Sequence, residues 1–246
     1  MKLAKTLMGA LLAIGACTTA TAEIPDEKQS VRLNTYILLD RTGSMSDLWD
    51  EALSSVNAYV GSVIEPDDGP QVDNDITLSV FDAQDGLQYD TLRRNVTGEG
   101  WKALTNDEVH PRGTTPLLDA IGRTVAMAES DAPEKAVIVI MTDGKENASR
   151  EFSREGVRSA LSRVEDKGWE VVFLGAEFAS FGDADAAGVD RSRQMAVSKD
   201  RLSQTMDNLA KKNRAYAQEL ADDVEFNEAD RAIAEEEDVK QRKGTN

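Results

Sequence analysis

Cysteine and histidine are almost missing from this chain of 246 residues, which has one of each, Cys17 and His110. An internal disulfide needs two cysteines, so none forms and stability has to come from packing. No histidine pair exists to hold zinc, and processing that removes Cys17 leaves no Cys–His nucleophile pair. Long apolar runs are absent too. The longest, Leu7 to Ala16, has ten residues, where a membrane span needs about 20. There is no Gly-x-x-x-x-Gly-Lys loop to cradle phosphates. Basic residues are outnumbered, 28 against 45 acidic, for a formal charge of −17. A polyanion would meet net repulsion here, which argues against nucleic acid as a partner. What remains, 40% hydrophobic and 30% charged, fits a soluble globular protein with room for one α/β domain of roughly 200 residues.

The first 22 residues read as an export signal: Lys2 and Lys5 precede the apolar run, and small residues follow it. Two processing sites compete. Ala20-Thr21-Ala22 before Glu23 is a good small-x-small match and predicts a released periplasmic or secreted protein. Ile14-Gly15-Ala16-Cys17 is a looser match to a bacterial lipobox and predicts a lipoprotein anchored through Cys17. Either way no membrane helix is expected in the mature chain. Residues 23–31 read as a linker, 32–223 as the folded domain, and 224–246 as a charged, mostly exposed tail with room for a short helix.

Within the domain, compact apolar runs alternate with helical stripes. Leu33 to Leu39 predicts a buried strand ending at Asp40, and Leu48, Ala52, Val56 and Val60 share one helix face that stops before Pro66. Ile76, Leu78 and Val80 alternate with polar residues, and the Asp85-Gly86 turn predicts a hairpin with Leu87 to Val96 as an edge strand. Pro116 opens a second helix striped by Leu117, Leu118, Ile121 and Val125. The unbroken run Ala136 to Met141 is what a central parallel strand covered on both faces requires. Val157, Leu161 and Val164 mark a third helix, Val171 to Leu174 a strand, and Met195 to Val197 a short last one. Leu202, Met206, Leu209, Tyr216 and Leu220 stripe a final long helix. The alternation predicts an α/β fold: a doubly wound, mostly parallel sheet with one antiparallel edge strand and helices on both faces.

In such sheets ligands sit beyond the carboxyl ends of the strands, and three polar clusters fall there. Asp40-Arg41-Thr42-Gly43-Ser44 places a carboxylate and two hydroxyls around a tight turn. Gly113-Thr114-Thr115-Pro116 puts a hydroxyl just ahead of a helix, and Thr142-Asp143-Gly144 puts a carboxylate at the end of the most buried strand. In this order and spacing the clusters resemble the metal-ion-dependent adhesion site (MIDAS) of von Willebrand factor A domains, and the resemblance covers roughly residues 33–215. It implies that Ser44 and Thr115 are hydroxyl ligands, that Thr42 replaces the usual first serine, and that Asp40 and Asp143 act directly or through water. Hard oxygen donors with only two carboxylates favour Mg²⁺, then Mn²⁺, with Ca²⁺ third because it takes more ligands. The resemblance also implies a function, metal-dependent binding of a protein that offers an acidic side chain, without catalysis.

Other motifs are weaker. The Asp-Thr-Gly-Ser of aspartic proteases is interrupted here by Arg41. Asp183-Ala-Asp185 imitates the start of a calcium loop, but position twelve is Gln194 where a bidentate Glu is needed, so it reads as a surface turn. His110 reads as a loop residue. The alternatives to adhesion are an accessory subunit of an AAA-type ATPase or chelatase, against which the export signal speaks because the periplasm lacks ATP, and a metal-dependent hydrolase, for which no general base can be named. The loops around Asp40, Thr115 and Lys145 to Arg150 are the expected contact surface.

Overall fold

Residues 30–65, 68–177 and 181–244 are described by the computed structural model. The export signal, both processing sites and the linker up to residue 29 lie outside them. In chain order the elements are β1 (Val31–Asp40), α1 (Trp49–Val63), β2 (Val72–Ala83), β3 (Leu87–Val96), α2 (Leu117–Asp131), β4 (Ala136–Thr142), α3 (Arg154–Glu165), β5 (Glu170–Ala176), α4 (Gly182–Ala187), β6 (Gln194–Val197), α5 (Leu202–Ala217), α6 (Glu228–Ile233) and α7 (Glu236–Gly244). The strands form one sheet in the order β3-β2-β1-β4-β5-β6. Every neighbouring pair is parallel except β2 with β3. The expected doubly wound sheet with one antiparallel edge is therefore the architecture found.

β4 explains why the sheet is central: all seven residues of Ala-Val-Ile-Val-Ile-Met-Thr are buried, with β1 and β5 on either side. Its alternate side chains feed two cores. Val137, Val139 and Met141 face α1 and α5, while Ile138 and Ile140 face α2, α3 and α4. On the α1 side the polar residues of β1 and β2 are paired, since Thr35 Oγ1 lies 2.9 Å from Tyr59 Oη and donates to Asn74 Oδ1 at 3.0 Å, and Asn213 Nδ2 donates to Tyr59 Oη at 2.7 Å. That satisfies groups that would otherwise be stranded away from water.

Strand order reverses between β1 and β4, so the crevice of the switch point opens between the carboxyl ends of those two strands. Asp40 ends one and Thr142 the other.

Two expectations need correction. The final long helix stops at Ala217, and Leu220 stands 72% exposed beyond it; Glu219, at φ 59°, breaks the helical path before the stripe reaches Leu220. The Asp183 segment is the short helix α4 and not a surface turn. In the charged tail ten of the residues 224–242 are exposed, but Val224, Phe226, Ala234 and Val239 are buried against the domain, four apolar anchors whose spacing is masked by the acidic residues between them.

Ile138→Ala should destabilise the fold by about 2–5 kcal/mol, the usual cost of a cavity in a packed core. Leu220→Ser should change stability by less than about 0.5 kcal/mol. Urea unfolding followed by circular dichroism measures both.

Candidate metal centre

Asp40 is the last residue of β1 and has no exposed surface. Its Oδ1 accepts from the Thr42 backbone N–H at 2.7 Å, and its Oδ2 accepts from Thr142 Oγ1 at 2.5 Å. Both partners are neutral. Burial therefore pushes the Asp40 carboxyl up to about 7, against the pull of those hydrogen bonds and with the nearby Asp143 charge adding to the rise.

The chain leaves Asp40 through a 3-10 turn, Gly43–Leu48, and returns the two hydroxyls toward the crevice. Thr42 Oγ1 lies 3.1 Å from Ser44 Oγ, Thr115 Oγ1 donates to Thr42 Oγ1 at 3.3 Å, and Ser44 Oγ donates to Asp143 Oδ1 at 2.7 Å. The five residues expected from the sequence are thus brought together from three loops. Thr42 and Thr115 are buried and Ser44 is open to solvent, so the oxygen cluster has a closed floor and an open mouth.

Adjacent oxygens around an octahedral cation with metal–oxygen distances of about 2.0–2.1 Å lie about 2.9 Å apart. The 2.7–3.3 Å spacings here bracket that value. Among the described residues no group of three or more His, Cys, Asp or Glu could hold a metal ion. The donor set is instead three hydroxyls and two carboxylates, which suits a hard cation. Gly144 keeps the mouth clear, since a Cβ there would stand 3.3 Å from Thr115 Oγ1 and 3.5 Å from Ser44 Oγ.

Much of the positioning comes from residues that sequence reasoning missed. Arg41 is buried with its side chain on the hairpin. Its Nε meets Asp82 Oδ1 at 2.7 Å and its Nη2 meets Asp90 Oδ2 at 2.6 Å, while Arg112 Nε reaches Asp82 Oδ2 at 3.2 Å. This network ties the first loop to the second. Backbone bonds from Gly43 N to Gly113 O (3.1 Å) and Arg112 N to Arg41 O (2.8 Å) complete the tie. Gly113 has φ +69°, and a Cβ there would lie 2.4 Å from Ala83 O, so only glycine fits.

The Lys145 to Arg150 loop, expected as contact surface, is also a brace. Asn147 Oδ1 accepts from Thr115 N at 2.9 Å. Glu146 turns inward and accepts from Leu118 N, Ala148 N, Ser149 N and Ser149 Oγ at 2.7–2.9 Å. It therefore caps α2 from 28 positions away in sequence, at a helix end where Pro116 supplies no side-chain cap. Asp119, itself buried, accepts from Arg150 N, Glu151 N and Phe152 N. Asp183 accepts from Glu146 N at 2.9 Å and pairs with Arg154. His110 lies in an exposed loop, as expected.

No protein-family model and no curated protein sequence matches the chain. Solved structures do. The von Willebrand factor domain of the type V pili tip protein Mfa5 from Porphyromonas gingivalis shares 10% identity at a TM-score of 0.58, over 76% of this chain and 97% of that one. Pilus adhesin SpaC from Lactobacillus rhamnosus GG shares 14% at 0.57, over 74% and 30%. Proximal thread matrix protein 1 from the mussel byssus, in a structure with a zinc-occupied MIDAS motif, shares 15% at 0.54, over 75% and 48%. This chain spans less than half the length of the latter two. At such identities the likeness is one of fold, and the fold is that of von Willebrand factor A domains.

Glu146→Ala removes four hydrogen bonds at once and should cost about 2–3 kcal/mol, at about 1 kcal/mol per bond with partial rescue by water. Thermal or urea unfolding reads the loss, and a Glu146→Gln variant should recover part of it.

Proposed function

We propose that this chain, which has the von Willebrand factor A fold, is an exported binding protein that holds one divalent cation at Asp40, Thr42, Ser44, Thr115 and Asp143 and uses it to engage another protein. The observation that carries this reading is the buried Asp40 carboxylate. It is held by neutral donors next to three hydroxyls that are hydrogen bonded to one another and to Asp143, and a cation supplies the charge its surroundings lack. When bound, the metal provides a Lewis-acidic coordination position facing solvent. The chain contributes five oxygen-bearing side chains, which would leave a six-coordinate ion a position for an acidic side chain of the partner.

The zinc-occupied MIDAS of the mussel protein supports a divalent ion, and the hard oxygen set favours Mg²⁺ or Mn²⁺ over Ca²⁺. The pilus adhesin and pilus tip proteins of the same fold support adhesion outside the cytoplasm. Among the described residues no helix is long and apolar enough to cross a membrane. Binding without catalysis is proposed on the pilus adhesin and pilus tip neighbours of the same fold.

Addition of Mg²⁺ or Mn²⁺ at 100 times its dissociation constant should stabilise the wild type by about 2.7 kcal/mol. Asp40→Ala should show no shift, and an equal shift in that variant would contradict the assignment. The response should also depend on pH. With its carboxyl raised to about 7, Asp40 favours the metal-free fold at low pH and withdraws that stability as pH climbs from the ordinary aspartate range through 7. Protons and the cation compete for this group. The metal-induced rise in melting temperature should therefore grow from pH 6 to pH 8, and a rise independent of pH would remove Asp40 from the site.

A further inference from the structure

An open sheet has two edges, and this one treats them differently. β3 carries Asp90, Arg93 and Arg94 and two register shifts against β2, the usual devices that discourage strand addition. β6 has only four residues, and all are buried. It pairs with β5 on one side, and on the other its backbone is met by the C-terminal segment.

In a parallel pair, alternate residues turn their backbone groups away from the neighbour. Those outward groups of β6 and its flanks are taken one after another. Phe226 N donates to Ser192 O at 2.8 Å, Arg231 Nη1 donates to Gln194 O at 3.0 Å, Ala196 N donates to Glu236 Oε1 at 3.1 Å, and Ser198 N donates to Ala234 O at 2.9 Å. Two of the four partners are side chains, so residues 226–236 reproduce the hydrogen bonding of a seventh strand without being one. Glu236 is buried, and it is held by Arg231 at 2.9 Å and Lys240 at 3.0 Å.

The match is also electrostatic. Of the basic residues flanking β6, Arg201 faces the acidic covering segment, whereas Arg191, Arg193 and Lys199 pair with Asp185, Glu170 and Glu51 of the domain. Ion pairs join cover to domain at Arg201–Glu235, Lys212–Asp230 and Arg242–Glu177. Val224, Phe226, Ala234 and Val239 supply the apolar anchors.

We infer that residues 224–242 are a charge-latched cover over a strand-accepting edge, and that the edge beneath fits an extended acidic segment of a partner protein. The cover occupies that place within its own chain. A partner strand would meet the outward groups of Gln194, Ala196 and Ser198 with its backbone, and Arg201 and Lys212, which now hold Glu235 and Asp230 of the cover, with its acidic side chains, the β-addition mode of peptide recognition. This is independent of the metal.

Hydrogen exchange on the full chain tests it. In Glu236→Ala the Ala196 amide should exchange at least tenfold faster, while Met195 and Val197, paired with β5, keep their protection. Salt at about 1 M, which shortens electrostatic reach to about 3 Å, should expose Ala196 and Ser198 before the core opens. A labelled peptide of residues 224–242 should then bind a Phe226→Ala/Glu236→Ala chain and not the wild type, and adding Ala196→Pro should abolish binding. Unchanged protection at Ala196, loss of all amides together, or peptide binding that survives Ala196→Pro would overturn the inference. Should the double variant fail to fold, the salt series on the wild type decides by the same amides.

Discussion

A carboxylate taken fully out of water at the end of the first strand is the constraint around which this structure is arranged. Ionised carboxylates are stable in such places only when paired, hydrogen bonded or coordinated to a metal. Asp40 receives a hydroxyl from Thr142 and a backbone N–H from Thr42, which lower its cost without cancelling its charge. The neighbouring basic residue, Arg41, could have neutralised it, but its guanidinium is turned away and committed to Asp82 and Asp90. The charge of Asp40 is thereby left to whatever enters the crevice between β1 and β4.

The rest of the site keeps that crevice in shape. Hydroxyls are weak ligands that bind a cation well only when several converge, so their positions have to be fixed in advance. Three loops contribute, and each is tied to another. Arg41, Asp82 and Arg112 join the first to the second, Asn147 joins the third to the backbone of Thr115, and Glu146 and Asp119 anchor the third to the start of α2. Such rigidity lowers the entropy lost on binding, which serves a site whose donors are mostly neutral.

The alternation of elements was legible because its strands are hydrophobic runs and its helices keep a single apolar stripe. The five oxygen-bearing residues were legible because each stands at a strand end or before a helix, inside a short motif. The braces were not. Glu146, Asp119 and Asp183 look like any of the chain's 45 acidic residues, and what distinguishes them is the backbone they meet across 28 to 37 positions. Arg41 seemed a mere spacer, because only the pairing of β2 with β3 brings Asp82 and Asp90 within its reach. The anchoring of the C-terminal segment was hidden for a related reason: its anchors are few, and its buried Glu236 serves as a substitute for a strand carbonyl, which no periodicity reveals.

The central claim, that the three loops form a preset cage for one hard cation, is tested most directly by crystals grown with Mn²⁺ and measured for anomalous scattering. The account predicts a single strong peak among the oxygens of Ser44, Thr115 and Asp143, with Thr42 and Asp40 beside it and the loops unmoved. A crevice without a peak, or a peak bound by other residues, would contradict it.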